Sequence, residues 1–168
     1  LEAYREYLFD NTHDEIPELI SEVSTNKTYF LREQAHWEFF CREIVQPFDS
    51  SERLNIWSPA CSTGEEPYTA SLCVQNDVID NPDHRDISYR ILATDISQQA
   101  LREGVRGVYP ESSIQHLREH RPDWLDEYFE REGENQWRIK DALRRHVPFR
   151  EFNLMTDSYP FEDTFQLV

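Results

Sequence analysis

Apolar positions recur along this chain with two periods, and the alternation between them sets the expected fold. Near the start, Ile16, Leu19, Ile20 and Val23 fall at i, i+3, i+4 and i+7, one face of an amphipathic helix. Residues 1–23 read as helical in two pieces. From Ala35 a second apolar face appears: Trp37, Phe40, Cys41, Ile44 and Val45, closed by Pro47. The run RLNIW at 53–57 is a short strand. A helix opened by Glu65, Glu66 and Pro67 follows it and runs to about Ile79. YRILAT at 89–94 is a second strand, ending at Asp95. Ser97 then serves as N-cap of a short helix that ends near Gly104. A strand–loop–helix–strand–helix order predicts a parallel sheet.

Residues 110–146 break that rhythm. Positions 112–118 and 122–129 read as helices, 130–135 as a charged turn and 136–139 as a strand, so a small insertion with a β-hairpin is expected. VPFREF at 147–152 is a third sheet strand, ending at Asn153. TFQLV at 164–168 begins a fourth.

Composition narrows the functional classes. The chain has 168 residues, enough for one domain. No stretch approaches the roughly 20 apolar residues of a membrane span, and no signal-peptide pattern opens the chain. A formal net charge of −16 argues against a nucleic-acid partner. Lysine is scarce, only Lys27 and Lys140, which fits a salty cytoplasm as well as drift in surface charge. The three cysteines, Cys41, Cys61 and Cys73, have no CxxC spacing. The six histidines are read as scattered, without HExxH or paired ligand spacing. Neither a disulfide nor zinc is expected, and cytoplasm is the default location. The chain starts without Met and stops inside an apolar run, and is read as a piece of a longer protein.

The chemistry concentrates at strand ends, where open α/β sheets bind ligands. Ser62, Thr63 and Gly64 follow the first strand, Asp95 ends the second, and Asn153 ends the third. GxxxxGK[ST] and GxGxxG are both absent, which counts against a P-loop and a dinucleotide site. Two consecutive acids, Glu65 and Glu66, would repel a pyrophosphate at a helix N-terminus. A cationic nucleoside without phosphates suits them better. S-adenosylmethionine, with its sulfonium and α-ammonium, is such a ligand. On the bland reading both acids only complement the helix dipole, Asp95 makes an Asx turn, and Arg32 forms a surface ion pair. Cys61 is given no nucleophilic role, because no histidine stands at a readable spacing.

WSPACSTGEEPYTAS at 57–71 resembles the signature loop of the CheR family, the chemoreceptor glutamate methyltransferases. TNKTYFLRE at 25–33 resembles the family's upstream motif, with Leu31 in place of a second Phe. ATDIS at 93–97, ALREGVRGVYP at 100–110 and PFREFNL at 148–154 follow in the family's order. The resemblance covers nearly the whole chain. It implies a partial class I S-adenosylmethionine-dependent methyltransferase fold: a Rossmann-like α/β sheet with a short N-terminal helical segment and a small β-hairpin insertion. Residues 1–25 would be the remnant of an N-terminal helical domain, and 26–168 a methyltransferase domain incomplete at its C-terminus, with 110–146 inserted.

By the same resemblance, Asn26, Thr28 and Arg32 would touch the methyl donor, with Arg32 also the candidate catalytic group. Glu65 or Glu66 would hold the donor's amino-acid end, Asp95 its ribose, and Asn153 with Leu154 its adenine. The implied reaction methylates glutamate side chains of chemoreceptors and leaves S-adenosylhomocysteine. The insertion would dock receptor material, and an exposed sheet edge could pair two copies. A non-catalytic S-adenosylmethionine sensor or receptor-docking module is the alternative, and a dinucleotide oxidoreductase a third.

Overall fold

The computed structural model describes residues 2–23, 27–49, 51–80, 87–161 and 164–168. Two helices, α1 (Glu2–Asp10) and α2 (Thr12–Val23), lead into α3 (Gln34–Phe40), which continues as a π-helical turn over Cys41–Val45. Then come β1 (Arg53–Pro59), α4 (Glu65–Asp80), β2 (Ser88–Asp95) and α5 (Gln98–Arg106). The segment that follows α5 holds β3 (Val108–Pro110), α6 (Glu111–His120), α7 (Pro122–Tyr128), β4 (Phe129–Arg131) and β5 (Gln136–Ile139). It is followed by α8 (Asp141–Arg144) and β6 (Phe149–Glu151).

The main sheet has the order β1-β2-β6, all parallel, with Ile56 opposite Ile91 and Ala93 opposite Phe149. Leu167 bridges in parallel to Ile56 on the free side of β1, and Trp57 donates its N–H to the Leu167 carbonyl at 3.0 Å. The chain therefore grows outward from β1 to β2 and β6, then returns to the opposite side of β1. That reversal is a topological switch point, and it places a crevice beyond the carboxyl end of β1.

Burial explains the strand patterns. In β1, Leu54, Ile56 and Ser58 are buried while Asn55 and Trp57 are only partly covered. The central strand β2 is buried at nearly every position from Ile91 to Asp95, as a strand covered on both faces must be. Helix α4 is buried without interruption from Pro67 to Val74, because it lies between the parallel sheet and the segment that joins α5 to β6. Within that segment, three strands form a separate antiparallel sheet, β3-β5-β4. Phe30 ties it to the upstream motif: its ring is fully buried and meets Tyr109 and Phe129 edge-on at 4.8 and 5.2 Å.

Several sequence expectations are corrected here. The helix after Ser97 does not end at Gly104. It runs to Arg106, and Gly107 (φ 64°) makes the left-handed cap. Gly104 stands inside the helix because a Cβ there would lie 2.5 Å from the Phe149 ring. The third strand is shorter than expected, residues 149–151, since Pro148 cannot donate to a ladder. The hairpin of β4 and β5 gains a third strand, β3. Finally, the histidines are not all scattered: His116 and His120 stand four apart on α6 with ring centroids 4.1 Å apart.

Candidate cofactor site

The loop between β1 and α4 is strained and pinned. Ala60, Ser62 and Gly64 all have positive φ, at 53°, 49° and 94°; for residues with a Cβ this conformation must be held by its surroundings. The holders are specific. Cys61 N–H donates to the Thr94 carbonyl at 2.9 Å and Gly64 N–H to the Cys61 carbonyl at 3.0 Å. Ser62 N–H donates to Asp95 Oδ2 at 2.8 Å. Tyr109 reaches in from the antiparallel sheet and donates its hydroxyl to the Thr63 carbonyl at 2.8 Å. Three loop N–H groups are thus already spent on the protein. A phosphate-binding loop needs such groups turned toward the ligand, so this loop is not built for an anion.

The two acids that follow have different fates. Glu65 is 2% exposed. It accepts the Thr63 hydroxyl at 2.6 Å and the Ser113 hydroxyl at 3.1 Å. Burial pushes its carboxyl above the ordinary carboxylate range, partly offset by these hydrogen bonds. Glu66 is exposed. One of its oxygens accepts the Ser58 hydroxyl at 2.6 Å, which fixes the side chain at the rim of a cleft of about 260 Å³ shared with Thr28, Tyr29, Arg32, His36 and Trp37.

The upstream motif forms the other wall of that cleft. Leu31 and Glu33 also have positive φ, 59° and 58°. Leu31 N–H donates to Thr69 Oγ1 at 3.3 Å, Thr69 in turn donates to the Glu65 carbonyl at 2.6 Å, and Phe30 N–H donates to the Ser113 carbonyl at 3.2 Å. The segment is therefore stapled to the first turns of α4 and α6. Arg32 donates from its guanidinium to the Lys27 carbonyl at 2.9 Å, and its own carbonyl accepts the Trp37 indole at 2.8 Å. Asn26 lies outside the described residues.

Asp95 is 8% exposed. Its Oδ1 accepts Ser97 N–H at 2.8 Å, an Asx turn, while Oδ2 holds Ser62. The bland reading of Asp95 is thus present in the structure, yet the same carboxylate also latches the loop and has lone pairs to spare. The Phe152 N–H donates to the Asp95 carbonyl at 3.0 Å, which sets Asn153 and Leu154 beyond Asp95 at the same edge of the sheet. Both are exposed; Asn153 Oδ1 accepts Met155 N–H at 2.9 Å.

The structure therefore brings Thr28, Arg32 and Glu66 into one cleft, while Glu65 lines a neighbouring one with Lys27 and Thr28. Asp95 holds the loop through Ser62 but does not line the cleft of Glu66. Asn153 and Leu154 stand at the same sheet end without lining that cleft. Sequence reasoning missed Ser58, Tyr109 and Ser113, which orient Glu66, the loop and Glu65. Their only signal was position: Ser58 occupies an inward slot of β1. Cys61 is buried, and that burial, with Asp95, Glu66 and Glu65 nearby, pushes its thiol up and disfavours the thiolate.

A parallel sheet with a switch point at β1, and a loop after β1 whose N–H groups are largely spent on the protein, make this an α/β domain of the class I methyltransferase type. The sequence places it further. The profile of the CheR methyltransferase SAM-binding domain matches residues 26–168, and the chain belongs to that family; S-adenosylmethionine is the cofactor of that domain.

Relatives include a chemotaxis protein methyltransferase of Borreliella burgdorferi, 34% identical over 160 residues, covering 90% of this chain and 54% of the relative. A probable chemotaxis protein methyltransferase of Rhizobium etli is 33% identical, covering 90% and 56%. A chemotaxis protein methyltransferase of Escherichia coli is 27% identical, covering 98% and 56%. The chain thus spans about half the length of these relatives. Among the described residues, no helix is long and apolar enough to cross a membrane.

Proposed function

We propose that this chain is the donor-binding part of a cytoplasmic protein-glutamate O-methyltransferase that acts on chemoreceptors. The observation that carries the reading is the split between the two acids: Glu65 is 2% exposed and tied to Thr63 and Ser113 at the wall of one cleft, while Glu66 is exposed and held by Ser58 at the mouth of another that also contains Thr28 and Arg32. A cationic amino-acid end matches an exposed carboxylate whose neighbouring loop offers few free N–H donors.

Bound S-adenosylmethionine supplies an electrophilic methyl group on a sulfonium. This chain's residues bind and orient. Glu66 takes the α-ammonium, and Thr28 and Arg32 close the cleft over the amino-acid end. Asp95 takes ribose hydroxyls with its remaining lone pairs, and Asn153 and Leu154 flank the adenine. Asn26, in the same motif, belongs to this set. A substrate glutamate, with an ordinary pKa near ~4.3, is already ionised at neutral pH, so no general base is needed. Catalysis is then a matter of orientation and exclusion of water. Arg32, which lines the same cleft as Glu66, orients the incoming carboxylate.

The partner is the cytoplasmic part of a chemoreceptor, docked on the inserted unit around residues 110–146. The acidic chain is unsuited to nucleic acid. The free edge of the parallel sheet is where two copies would pair.

The test is transfer of labelled methyl from S-adenosylmethionine to a receptor cytoplasmic domain, by a protein that contains this chain at the length of its relatives. The expected result is label on receptor glutamates, with Arg32→Ala lowering kcat about 100-fold. Donor binding without any transfer would replace this reading with a sensor or docking module.

A further inference from the structure

The pair His116 and His120 on α6, together with Glu119, has the geometry of a metal site. One ligand atom from each of the three lies within 4.8 Å of the others. Their order on a 10-residue helix, i, i+3 and i+4, puts all three on one face. Two further contacts orient the donors. The Nδ1 of His120 is 3.0 Å from the His116 carbonyl. A carbonyl can only accept, so this contact puts a proton on Nδ1 and leaves Nε2 as the ring nitrogen that a metal would take from the neutral imidazole. Glu119 Oε1 accepts the Gln115 amide at 3.0 Å, which steadies the carboxylate. Tyr29 packs edge-on against the His116 ring at 5.5 Å and limits its rotation. Metal-binding histidines and carboxylates have this kind of outer support, with the second ring nitrogen on a carbonyl.

We propose that His116, His120 and Glu119 bind one divalent transition-metal ion of the zinc class. Two of the three donors are imidazole nitrogens, which favour zinc, nickel or copper over magnesium or calcium. Three protein ligands leave a fourth position open to water or to a group from a bound partner. The site stands one aromatic contact from the cleft, because Tyr29, which braces His116, also lines the cleft with Arg32 and Glu66. The proposal does not depend on the methyltransferase reading, since its readout is metal binding by this chain.

The experiment is calorimetric titration of Zn²⁺, then Mg²⁺, into the chain, with His120→Gln, Glu119→Gln and His36→Gln as variants. Folding of each is checked by circular dichroism. The proposal expects one equivalent of Zn²⁺, no saturable Mg²⁺ binding, and affinity lowered roughly tenfold or more by His120→Gln. Glu119→Gln has a smaller loss and His36→Gln none. Visible d–d bands of bound Co²⁺ that disappear in His120→Gln provide an independent reading. Absence of saturable Zn²⁺ binding, or binding that His120→Gln leaves unchanged, overturns it.

Discussion

The loops at the ends of β1 and β6 differ in how firmly they are held. The loop after β1 is fixed by the Thr94 carbonyl, the Asp95 carboxylate and the Tyr109 hydroxyl, and three of its residues sit at positive φ. The loop after β6 runs over exposed Asn153, Leu154 and Met155, whose hydrogen bonds are mostly local, such as Met155 N–H to Asn153 Oδ1. The loop after β1 is therefore preorganised by distant parts of the chain, and the loop after β6 is not. Strain is kept only where surrounding contacts hold it, so the pinned loop is where substitution has the largest effect.

Gly64→Ala is the severest break. A Cβ at φ 94° would lie 2.8 Å from the Phe149 ring. Backbone strain alone costs about 1–3 kcal/mol, and Tm should fall by roughly 5 °C or more, with loss of S-adenosylhomocysteine binding. An unchanged melting curve would mean that the loop is not tightly held. Asp95→Ala follows: it removes the carboxylate that accepts the Ser62 and Ser97 N–H groups, at about 1–3 kcal/mol in all, and with it the proposed ribose acceptor. Calorimetry should show no binding and scanning calorimetry a lower Tm; a variant that still binds normally would reduce Asp95 to its Asx turn.

A pH comparison isolates Glu65. Its folded-state pKa is raised by burial. Below the ordinary carboxylate range it is protonated in both states, and its contribution to stability is complete there. As pH rises the unfolded chain ionises first, so the contribution is lost by the time pH passes the folded-state value. The Tm of the wild type minus that of Glu65→Gln should therefore decrease from about pH 4 to about pH 7. A difference that grows with pH would show a carboxylate stabilised by its hydroxyl partners instead. Leu154→Ala is the mildest change. The residue is 40% exposed, so Tm should move by less than about 2 °C and donor affinity by less than roughly tenfold. A larger effect would show the second loop to be as organised as the first.

The parts of this architecture that depend on period and on strong local signals were legible in the residues. The alternation of Leu54, Ile56 and Ser58, the Ser97 cap, and the polar residues ending each strand all express one rule each. What was not legible depends on contacts distant in sequence. Gly104 reads as a helix stop until the ring of Phe149 is seen against it. β3 is three residues long and is defined by its pairing with β5. The π-helical turn over Cys41–Val45 leaves no trace in an apolar stripe that fits an ordinary helix. Glu65 and Glu66 are chemically identical neighbours. Only Thr63 and Ser113 on one side, and Ser58 on the other, decide which faces the cleft. The His116–His120 spacing is present in the sequence, but a helix expected over 112–118 leaves His120 outside it, and only α6 running to His120 puts the two on one face.

That distinction between the two acids is also the most direct test. S-adenosylhomocysteine is titrated calorimetrically into the wild-type chain, Glu66→Gln and Glu65→Gln, with NAD as a competing ligand. The account predicts binding to the wild type that NAD does not displace. It predicts a loss of roughly tenfold or more in Glu66→Gln at unchanged Tm, and at most about a threefold loss in Glu65→Gln. Loss confined to Glu65→Gln, or displacement by NAD, would contradict it.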